Sequence, residues 1–439
     1  MPCLDGAERP YLSLDAAAST PALPAVARRV GEFLPTYSSV HRGAGFKSQA
    51  STVAYEEARE AALAFARREG RDDIAILCRN TTDAINHLSY RLQLRPTDVV
   101  VTTVIEHHAN LLPWRRRAAC RYVECEPDGT FAPEAVEEAL DAGPRPRLLA
   151  ISGASNVTGW SPDLDRVIGA AHDRGVEVLV DCAQLAPHRP LPSGADYVVW
   201  SGHKLYAPFG TGVLIGPRRS FTDGDPFLAG GGAVDLVDLD EVVWSAPPER
   251  EEAGSPNVVG AVALQAAMEE LTAIGWPDVA DHDAALATLI RGGLAAIPGV
   301  RLLGPAPGRP ALPLATFTVE GLPHSLVAAR LAAEFGIGVR HGCFCAHPYV
   351  IRLLGLTREE TEDFRTDIRR GVRHRIPGAV RASAGLSTSE EDVERLLEAV
   401  GSIAGGAPPP VPYRQDPATG DFRPDVDGGT ALASSCGPG

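Results

Sequence analysis

Residues 176–216 read VEVLVDCAQLAPHRPLPSGADYVVWSGHKLYAPFGTGVLIG, and this stretch decides the fold. Three short apolar runs, VEVLV, DYVVW and GVLIG, are separated by polar and glycine-containing turns. Upstream, IAILC at 74–78, DVVVTTV at 98–104 and RLLAISGAS at 147–155 repeat the pattern, with helical spacing between them. Short apolar strands that alternate with helices predict an α/β fold with a mainly parallel sheet.

Polar side chains follow these apolar runs at the points where the strands should end. In a parallel sheet those ends share one edge, and ligands bind in the crevice beyond it. We therefore expect a single site that gathers the polar residues of several strand ends, which are Thr81 and Thr82, Glu106 and His107, Asn156, Asp181, and Ser201 to Lys204.

Lysine is rare in this chain. Of the 41 Lys and Arg residues, only Lys47 and Lys204 are lysines. Arginine stays charged and cannot form an imine, whereas a buried lysine can lose its proton and attack a carbonyl group. Lys204 follows an apolar run in the string SGHK, which makes it the candidate for covalent attachment of a carbonyl cofactor.

Composition argues against several classes of protein. The net charge is −15, with acidic residues scattered along the chain, which disfavours nucleic acid or an anionic membrane as partner. No apolar run is long enough for a membrane helix, and residues 1–11 lack an apolar signal core. Eight cysteines in 439 residues do not make a disulfide scaffold. We expect a cytoplasmic protein with no nucleic-acid or membrane partner.

A series of strings resembles the class V aminotransferase family, and within it the group II cysteine desulfurases and selenocysteine lyases. In chain order they are VHRGAG (40–45), RNTTDAIN (79–86), EHHANLLPW (106–114), SNVTG (155–159), DCAQ (181–184), SGHKLYAPFGTGVL (201–214), EAGSPN (252–257), VRHGCFCAHP (339–348) and VRASAGLSTSEEDVERL (380–396). The resemblance covers the chain from about residue 11 to residue 403.

The resemblance implies the α/β architecture of pyridoxal-5′-phosphate (PLP) enzymes of fold type I. That fold has a large domain with a mainly parallel seven-stranded sheet and a smaller α+β C-terminal domain. We expect residues 1–20 to join the small domain, 21–275 to form the large PLP-binding domain, and 276–404 to form the small domain. Residues 405–439 are rich in proline and glycine and are predicted to be a flexible tail. The family also implies a homodimer with active sites at the interface.

Carried over residue by residue, the resemblance assigns four side chains to the PLP ring. Lys204 would hold the cofactor as a Schiff base and then move the α-proton of the substrate. Asp181 would pair with the pyridine nitrogen, Gln184 would bond the ring hydroxyl, and His107 would stack on the ring and act as an acid–base group.

The resemblance assigns a second group of side chains to the phosphate of the cofactor. Phosphates bind where hydroxyls and backbone N–H groups gather at the start of a helix. The residues of this group are Thr82, Ser201 and His203, with Thr81 nearby. Where the family has a threonine from the neighbouring subunit, this chain has Ser255, which keeps the hydroxyl.

The substrate residues also follow from the resemblance. Arg381 would bind the substrate carboxylate through a bidentate fork, together with Asn156, which also contacts the cofactor. Arg340 and His41 are further candidates for substrate binding. Cys345 matches the catalytic cysteine, whose thiolate would attack the sulfur of bound L-cysteine. The products would be alanine and a persulfide on Cys345 that supplies a sulfur acceptor in a biosynthetic pathway. No metal is expected.

Two departures from the family pattern leave the substrate open. Cys343 forms a Cys-x-Cys pair with Cys345. It could receive the persulfide, be a bystander, or join His341 and His347 at a metal, although zinc usually takes four ligands. The stretch 346–380 is longer and richer in arginine than in group II desulfurases. It could be a lid, an anion-binding surface or a docking surface, and a solvated surface helix is the preferred interpretation.

The function therefore has alternatives to a cysteine desulfurase. A related class V lyase or aminotransferase, such as a C–S lyase or an epimerase-like enzyme, could act on another amino acid. The molybdenum-cofactor sulfurases share a Gly-Cys-Phe-Cys run with this chain. An inactive scaffold or binding protein is the alternative from a different class, and the intact set of Lys204, Asp181 and His107 disfavours it.

Overall fold

The N-terminal part of the chain forms a short strand and two helices. A computed structural model describes residues 1–41 and 43–426. The first elements are β1 (Leu12–Ser13), α1 (Pro24–Phe33) and α2 (Phe46–Phe65). Proline suits the first position of α1 because the N–H group that proline lacks would have no helical partner there.

Seven strands form the central sheet in the order β2-β8-β7-β6-β5-β3-β4. They are β2 (Asp73–Cys78), β3 (Val99–Thr103), β4 (Ala119–Val123), β5 (Leu148–Ser152), β6 (Glu177–Asp181), β7 (Tyr197–Ser201) and β8 (Gly212–Pro217). Strand β8 runs in the direction opposite to the other six strands. Every residue of β5, β7 and β8 is buried, as expected for a sheet that helices cover on both faces. The predicted, mainly parallel seven-stranded sheet is confirmed.

Helices connect the strands of this sheet. They are α3 (Thr81–Arg91), α4 (Leu112–Arg115), α5 (Pro133–Asp141) and α6 (Leu164–Asp173). Helix α3 begins almost directly after β2, where the Asn80 side chain caps it by accepting a hydrogen bond from the Asp83 backbone N–H at 2.9 Å. These crossovers bring the carboxyl ends of the parallel strands to one edge of the sheet.

After β8 the chain forms an antiparallel hairpin of β9 (Val234–Val237) and β10 (Val242–Trp244), followed by helix α7 (Val258–Ile274). Two buried carboxylates anchor the segment between the hairpin and α7. Glu251 contacts Nε2 of His87 at 2.7 Å, and Glu252 accepts a hydrogen bond from the Leu77 backbone N–H at 2.7 Å. The hairpin exposes large apolar side chains, which are Leu236, Val237, Leu239, Val242 and Val243.

The C-terminal part of the chain forms a second, smaller α+β unit, as predicted. Its elements are α8 (Trp276–Ala296), β11 (Val300–Leu303), β12 (Leu314–Val319), α9 (His324–Phe335), β13 (Ile337–Gly338), β14 (Arg340–Gly342), α10 (His347–Leu354), α11 (Arg358–Arg369), β15 (Ala379–Ser383) and α12 (Glu390–Ala404). Four strands form an antiparallel sheet in the order β11-β12-β15-β14. Strand β1 pairs in parallel with β13, and Leu14 lies in the core of this unit. The residue boundaries of the two domains stay a prediction.

Helix α11 lies in the middle of the arginine-rich stretch 346–380, and none of its residues is buried. Thr357 and Glu360 form a capping box at its start, in which each side chain bonds the backbone N–H of the other residue. Local capping rather than tertiary packing therefore defines this helix. For α11 the structure agrees with the preferred interpretation of a solvated surface helix, whereas α10 in the same stretch buries Tyr349, Val350 and Leu353.

Residues 405–426 differ from the predicted flexible tail. Strands β16 (Tyr413–Gln415) and β17 (Phe422–Pro424) form an antiparallel hairpin that contacts α9. The Tyr413 hydroxyl donates to Glu334 at 3.0 Å, and the Ser325 hydroxyl donates to the Gly420 carbonyl at 3.1 Å. Backbone pairing and polar contacts need little apolar content, which is why composition did not predict this hairpin. Residues 427–439, with Cys436, lie outside the described residues.

Within residues 1–41 and 43–426, no single helix is long and apolar enough to cross a membrane. Helices α7 and α8 meet that criterion only as a pair, and the pair is bent by 83°. Most of α7 is buried inside the protein.

Candidate active site

A cavity of about 320 Å³ lies at the carboxyl ends of the parallel strands. The N-terminal segment and strands β14 and β15 of the small unit close its other side. Most of the predicted site residues line it, namely Thr81, Thr82, His107, Asn156, Asp181, Gln184, Ser201, His203, Lys204, Arg340, Cys345 and Arg381. The sheet topology therefore brings into one cavity residues that are far apart in the sequence.

Lys204 and Asp181 form the polar centre of this cavity. Lys204 ends a 3-10 turn, Gly202–Lys204, directly after β7, and Asp181 is the last residue of β6. Burial lowers the pKa of Lys204 to about 8, although the charge of Asp181 opposes this shift. Burial raises the pKa of Asp181, against a hydrogen bond from the Ala183 backbone N–H at 2.9 Å and the charge of Lys204. Such shifts are typical of functional sites.

His107 lies beside Lys204 as a neutral imidazole. Burial lowers its pKa to about 3, and the charges of Lys204, His108 and Arg381 act in the same direction. Its Nδ1 accepts a hydrogen bond from the Ala109 backbone N–H at 3.1 Å, so the ring proton of neutral His107 is on Nε2. A fixed, uncharged ring of this kind suits stacking on a planar ligand and proton exchange through one nitrogen.

One end of the cavity combines hydroxyl groups with a helix start. The Ser201 hydroxyl accepts a hydrogen bond from the Thr81 backbone N–H at 2.8 Å and lies 2.7 Å from the Thr81 hydroxyl. Thr81 and Thr82 open α3, whose positive dipole end favours an anion. His203 also lines this cavity. The arrangement has the donors that a phosphate group requires.

Two amide side chains have fixed orientations at the cavity. Gln184 donates through Nε2 to the Ala17 carbonyl at 2.7 Å, which leaves its oxygen as the free acceptor. Asn156 donates through Nδ2 to the Phe344 carbonyl at 2.8 Å. Each amide thus ties the sheet edge to a segment that closes the cavity.

Arg381 lies on β15, and only some of the N–H donors of its buried guanidinium have hydrogen-bond partners. It is 3% exposed, and Nη1 donates to the Asn156 carbonyl at 2.8 Å. Nη2 lies 3.4 Å from Asp15, and Asp15 also pairs with the exposed Arg340 at 2.7 Å. The buried Nε of Arg381 has no hydrogen-bond partner among the described residues. Because an unsatisfied buried donor is costly, this group favours binding of an anion such as a carboxylate.

Cys345 is an exposed thiol on the rim of the same cavity. It lies in the loop between β14 and α10, and the Phe344 ring before it lies under the guanidinium of Arg381 at 5.0 Å. The Cys345 carbonyl accepts a hydrogen bond from the His108 backbone N–H at 2.7 Å. The loop therefore holds a thiol at the cavity without burying it.

Cys343 has a different environment from Cys345. It is buried, and its thiol donates to the Pro377 carbonyl at 2.9 Å. Burial raises the pKa of Cys343 to about 11, and the nearby Cys345 acts in the same direction. A thiol held in its protonated form is a poor nucleophile, so this geometry favours an anchor over a persulfide acceptor. In the part of the chain that the structure describes, no three histidine, cysteine or acidic side chains are grouped so that they could hold a metal.

Two predicted site residues do not line the cavity. His41 is exposed, with Nε2 3.1 Å from Glu56 and its ring against Tyr55. Ser255 is exposed near the start of α7. The role of Ser255 depends on a neighbouring subunit, and both assignments stay predictions.

Four polar or aromatic residues in or beside the cavity were not predicted from the sequence, namely Asp15, Asn80, Ser152 and Phe344. Asn80, Ser152 and Phe344 line the cavity, while Asp15 bonds two of its arginines. Asn80 and Ser152 lie at the ends of apolar runs, which is the same signal that identified their neighbours. Asp15 pairs with Arg381 across 366 residues, and no sequence signal at residue 15 indicated that contact.

Comparisons with known proteins show the family of this chain. The profile of the family described as "Aminotransferase class-V" matches residues 12–396. The chain is 36% identical over 410 residues to the probable cysteine desulfurase 1 of Mycobacterium leprae, an alignment that covers 91% of the chain and 63% of that relative. It is 32% identical over 402 residues to the cysteine desulfurase of Klebsiella pneumoniae strain 342, with 89% of the chain and 92% of the relative covered. The chain thus spans only 63% of the length of the mycobacterial relative.

Solved structures show the same relationship. The apo structure of a cysteine desulfurase from Thermococcus onnurineus NA1 superposes with a TM-score of 0.80 at 29% identity, covering 90% of this chain and 95% of that chain. The cysteine desulfurase CsdA of Escherichia coli, in an S-sulfonic acid form, superposes with a TM-score of 0.76 at 32% identity. That match covers 90% of this chain and 94% of the Escherichia coli chain.

Proposed function

The chain belongs to the aminotransferase class-V family, and from this premise we propose that it is a PLP-dependent cysteine desulfurase. It converts L-cysteine into L-alanine and retains the sulfur on Cys345 as a persulfide. One observation carries the proposal. An exposed thiol, Cys345, lies on the rim of the cavity that also holds the amine of Lys204 and the carboxylate of Asp181.

The residues of the cavity fit PLP at each functional group of that molecule. Lys204 would hold its aldehyde carbon, and the buried carboxylate of Asp181 would face its ring nitrogen. The ring of His107 would cover one face, and the oxygen of Gln184 would meet the ring hydroxyl. The hydroxyls of Ser201 and Thr81 and the start of α3 would bind the phosphate. When bound, PLP supplies an electron sink that weakens the Cα–H bond of an amino acid.

Arg381 is the proposed anchor of the substrate carboxylate. Its unpartnered Nε and its burial give a charge-assisted bond that water screens little. Asn156 positions the guanidinium through its backbone carbonyl. With the carboxylate held there, the amino group of L-cysteine would lie on the side of Lys204 and its thiol on the side of Cys345, since both residues line the same cavity.

Lys204 and His107 are the proposed proton carriers. A pKa of about 8 leaves a useful fraction of the Lys204 amine neutral near neutral pH, so the amine can accept the α-proton. His107 carries its proton on Nε2 and can exchange it with the substrate.

Cys345 performs the sulfur step. Its thiolate attacks the sulfur of the substrate, an S–S bond forms, and the Cβ–S bond of the substrate breaks. The electron pair of the broken bond remains on the carbon skeleton, which gains a proton and becomes alanine. The sum is Cys345 thiol plus L-cysteine giving Cys345 persulfide plus L-alanine, so atoms and electrons balance. An acceptor protein or small molecule then takes the outer sulfur.

A homodimer is part of the proposal. The hairpin β9–β10 exposes a row of apolar side chains that a second copy could cover. The Gly254 backbone N–H bonds the Gly231 carbonyl at 2.8 Å, so the loop that carries Ser255 is tied to the segment leading into this hairpin. Pairing through the hairpin could therefore bring Ser255 to the phosphate end of the partner's cavity.

The chemistry also suggests where the enzyme works. The seven described cysteines are free thiols, and free thiols persist in a reducing compartment. The cytoplasm is the proposed location.

The experiment is an assay of purified, PLP-loaded protein with L-cysteine and dithiothreitol, in which alanine and sulfide are measured together. Equal amounts of both products are expected. Cys345→Ser should abolish both while the absorption band of bound cofactor remains. Cys120→Ser, which alters a thiol outside the cavity, is the matched control and should keep full activity.

Two results would contradict the proposal. Alanine formation that persists in Cys345→Ser would overturn the persulfide step and favour a related C–S lyase. Absence of both products from the wild-type protein, with cofactor visibly bound, would mean that another amino acid is the substrate.

A further inference from the structure

The loop that carries Cys345 has an unusual backbone conformation. Phe344 and Cys345 both have a φ of 52°, in the left-handed region that side chains with a Cβ seldom occupy. Such a conformation persists only when surrounding contacts hold it. The contacts of this loop therefore decide where the thiol lies.

Two histidine rings supply a distinctive part of these contacts. His108 donates its backbone N–H to the Cys345 carbonyl at 2.7 Å. Its ring lies parallel to the ring of His347, with the centroids 5.0 Å apart and an interplanar angle of 3°. The His347 backbone N–H lies 3.3 Å from Nε2 of His108, and Nδ1 of His347 lies 3.2 Å from the same atom. His347 follows Cys345 by two residues, so the pair closes the loop on its far side.

We propose that His108 and His347 form a latch that positions Cys345 on the rim of the cavity. Neither ring lines the cavity, so both are positioning residues and not catalytic ones. The catalytic meaning of the latch rests on the proposed function, because it fixes the thiolate for attack on the substrate sulfur. The latch itself is a property of the loop that can be measured without turnover.

The hydrogen bonds define the protonation state that the latch requires. A backbone N–H can only donate, so Nε2 of His108 must accept and cannot carry a proton. Protonation of His108 would put a hydrogen on Nε2, which would then face the backbone N–H and Nδ1 of His347 and could no longer accept a hydrogen bond from either. The latch therefore closes with a neutral His108 ring.

Acid should open the latch. Burial lowers the pKa of both rings, and His347 lowers that of His108 further. A released loop, with ordinary histidine pKa values near 6.5, takes up protons more readily, so the closed population falls as the pH drops below that value. Among the described residues, His107 is in tilted contact with the His108 ring, the Cys345 thiol lies in the same loop, and Arg352 and Arg365 line a pocket beside His347. The carboxylate of Glu124 is paired with Arg352 of that pocket.

The test compares the wild-type holoenzyme with His108→Ala, His347→Ala and the double variant. Hydrogen–deuterium exchange of peptides covering 342–350 is measured at pH 7.5 and at pH 5.5, together with kcat and KM for L-cysteine. His374→Ala is the matched control, because His374 is an exposed histidine in the same stretch 346–380.

Both single variants should exchange about fivefold faster at pH 7.5. The double variant should exchange only slightly faster than either single variant, because the two rings act together and losing one already breaks their contact. At pH 5.5 the wild-type protein should approach the variants. In turnover, kcat should fall about tenfold with KM and the cofactor band unchanged, since the residues that bind substrate and cofactor stay in place.

If both single variants exchange hydrogen at the wild-type rate at pH 7.5, the latch is contradicted. It is also contradicted if His374→Ala raises the exchange rate as much as His108→Ala and His347→Ala do. Rate losses that appear in KM or in cofactor retention would overturn the positioning role. A wild-type protein that makes no alanine would refute the proposed function alone, because the exchange measurement would still test the latch.

Discussion

Single side chains at the strand ends carry the proposed chemistry. Asp181 and Lys204 follow apolar runs, and the ends of parallel strands meet at one edge, so spacing and the family strings sufficed. Asp15 escaped prediction because its partner Arg381 is 366 residues away. Phe344 was not predicted because its role is a contact with the guanidinium of Arg381, which the local sequence does not indicate. Contacts made between separate folding units are not encoded by local pattern.

The amine of Lys204 gives a prediction at the residue scale. Only the neutral amine attacks the aldehyde of PLP, and burial sets the Lys204 pKa at about 8. The rate of PLP incorporation into apoprotein should therefore rise about tenfold per pH unit below 8 and level off above it. Stopped-flow absorbance measures this rate. A rate that does not change between pH 6.5 and 9 would contradict the assignment.

Arg381→Lys tests the carboxylate anchor. Lysine keeps the charge but loses the planar fork, so KM for L-cysteine should rise about tenfold, which corresponds to about 1.4 kcal/mol. Steady-state kinetics measure the change. Arg414→Lys is the control, because the Arg414 side chain is exposed, pairs with Asp425 outside the cavity and should change KM by less than about threefold. Equal effects of the two substitutions would argue against Arg381 as the anchor.

Glu106 joins two elements of the sheet and gives a prediction at the element scale. It follows β3 and accepts hydrogen bonds from Asn110 Nδ2 at 2.7 Å, and from the backbone N–H and hydroxyl of Ser152 at 3.0 and 2.6 Å. Asn110 cannot flip, because its oxygen accepts from Trp114. In Glu106→Gln one carboxylate oxygen becomes an NH2 group. In one orientation this group faces the Ser152 backbone N–H, and in the other it faces Nδ2 of Asn110, so two donors oppose each other in either case.

Glu106→Gln should therefore lower the free energy of unfolding by about 1–3 kcal/mol. Chemical denaturation measures this loss. Glu138→Gln changes an exposed carboxylate on α5 and should have no measurable effect. Stability equal to that of the wild type in Glu106→Gln would show that the network tolerates the extra donor.

Elements with strong hydrophobic periodicity were predictable, and those held by polar contacts were not. The runs that became β6 and β7 are almost wholly apolar, so the buried strands could be recognised. The hairpin of β16 and β17 has few apolar residues, and its contacts to α9 are hydrogen bonds. Helix α11 lies between these cases, because its capping box is a local signal although none of its residues is buried.

The assembly state is the prediction at the scale of the whole molecule. If the hairpin β9–β10 forms the dimer interface, charges placed on its exposed apolar face should separate the subunits. The double variant Leu236→Glu/Val243→Glu should sediment as a monomer and lose PLP more readily, because Ser255 no longer reaches the partner's phosphate site. Ile368→Glu, an exposed apolar residue on α11, is the control. A dimer that survives the double substitution would exclude this interface.

The whole-molecule architecture followed from the sequence, because the family strings and the alternation of strands and helices point to the same sheet. The reaction is less directly determined, since it depends on where one thiol lies relative to a substrate. The most direct measurement is a single turnover without reductant, in which alanine is quantified and the Cys345 peptide is weighed by mass spectrometry. The proposed persulfide mechanism predicts one alanine per active site and a Cys345 peptide heavier by one sulfur atom. Alanine released while the Cys345 peptide keeps its original mass would contradict it.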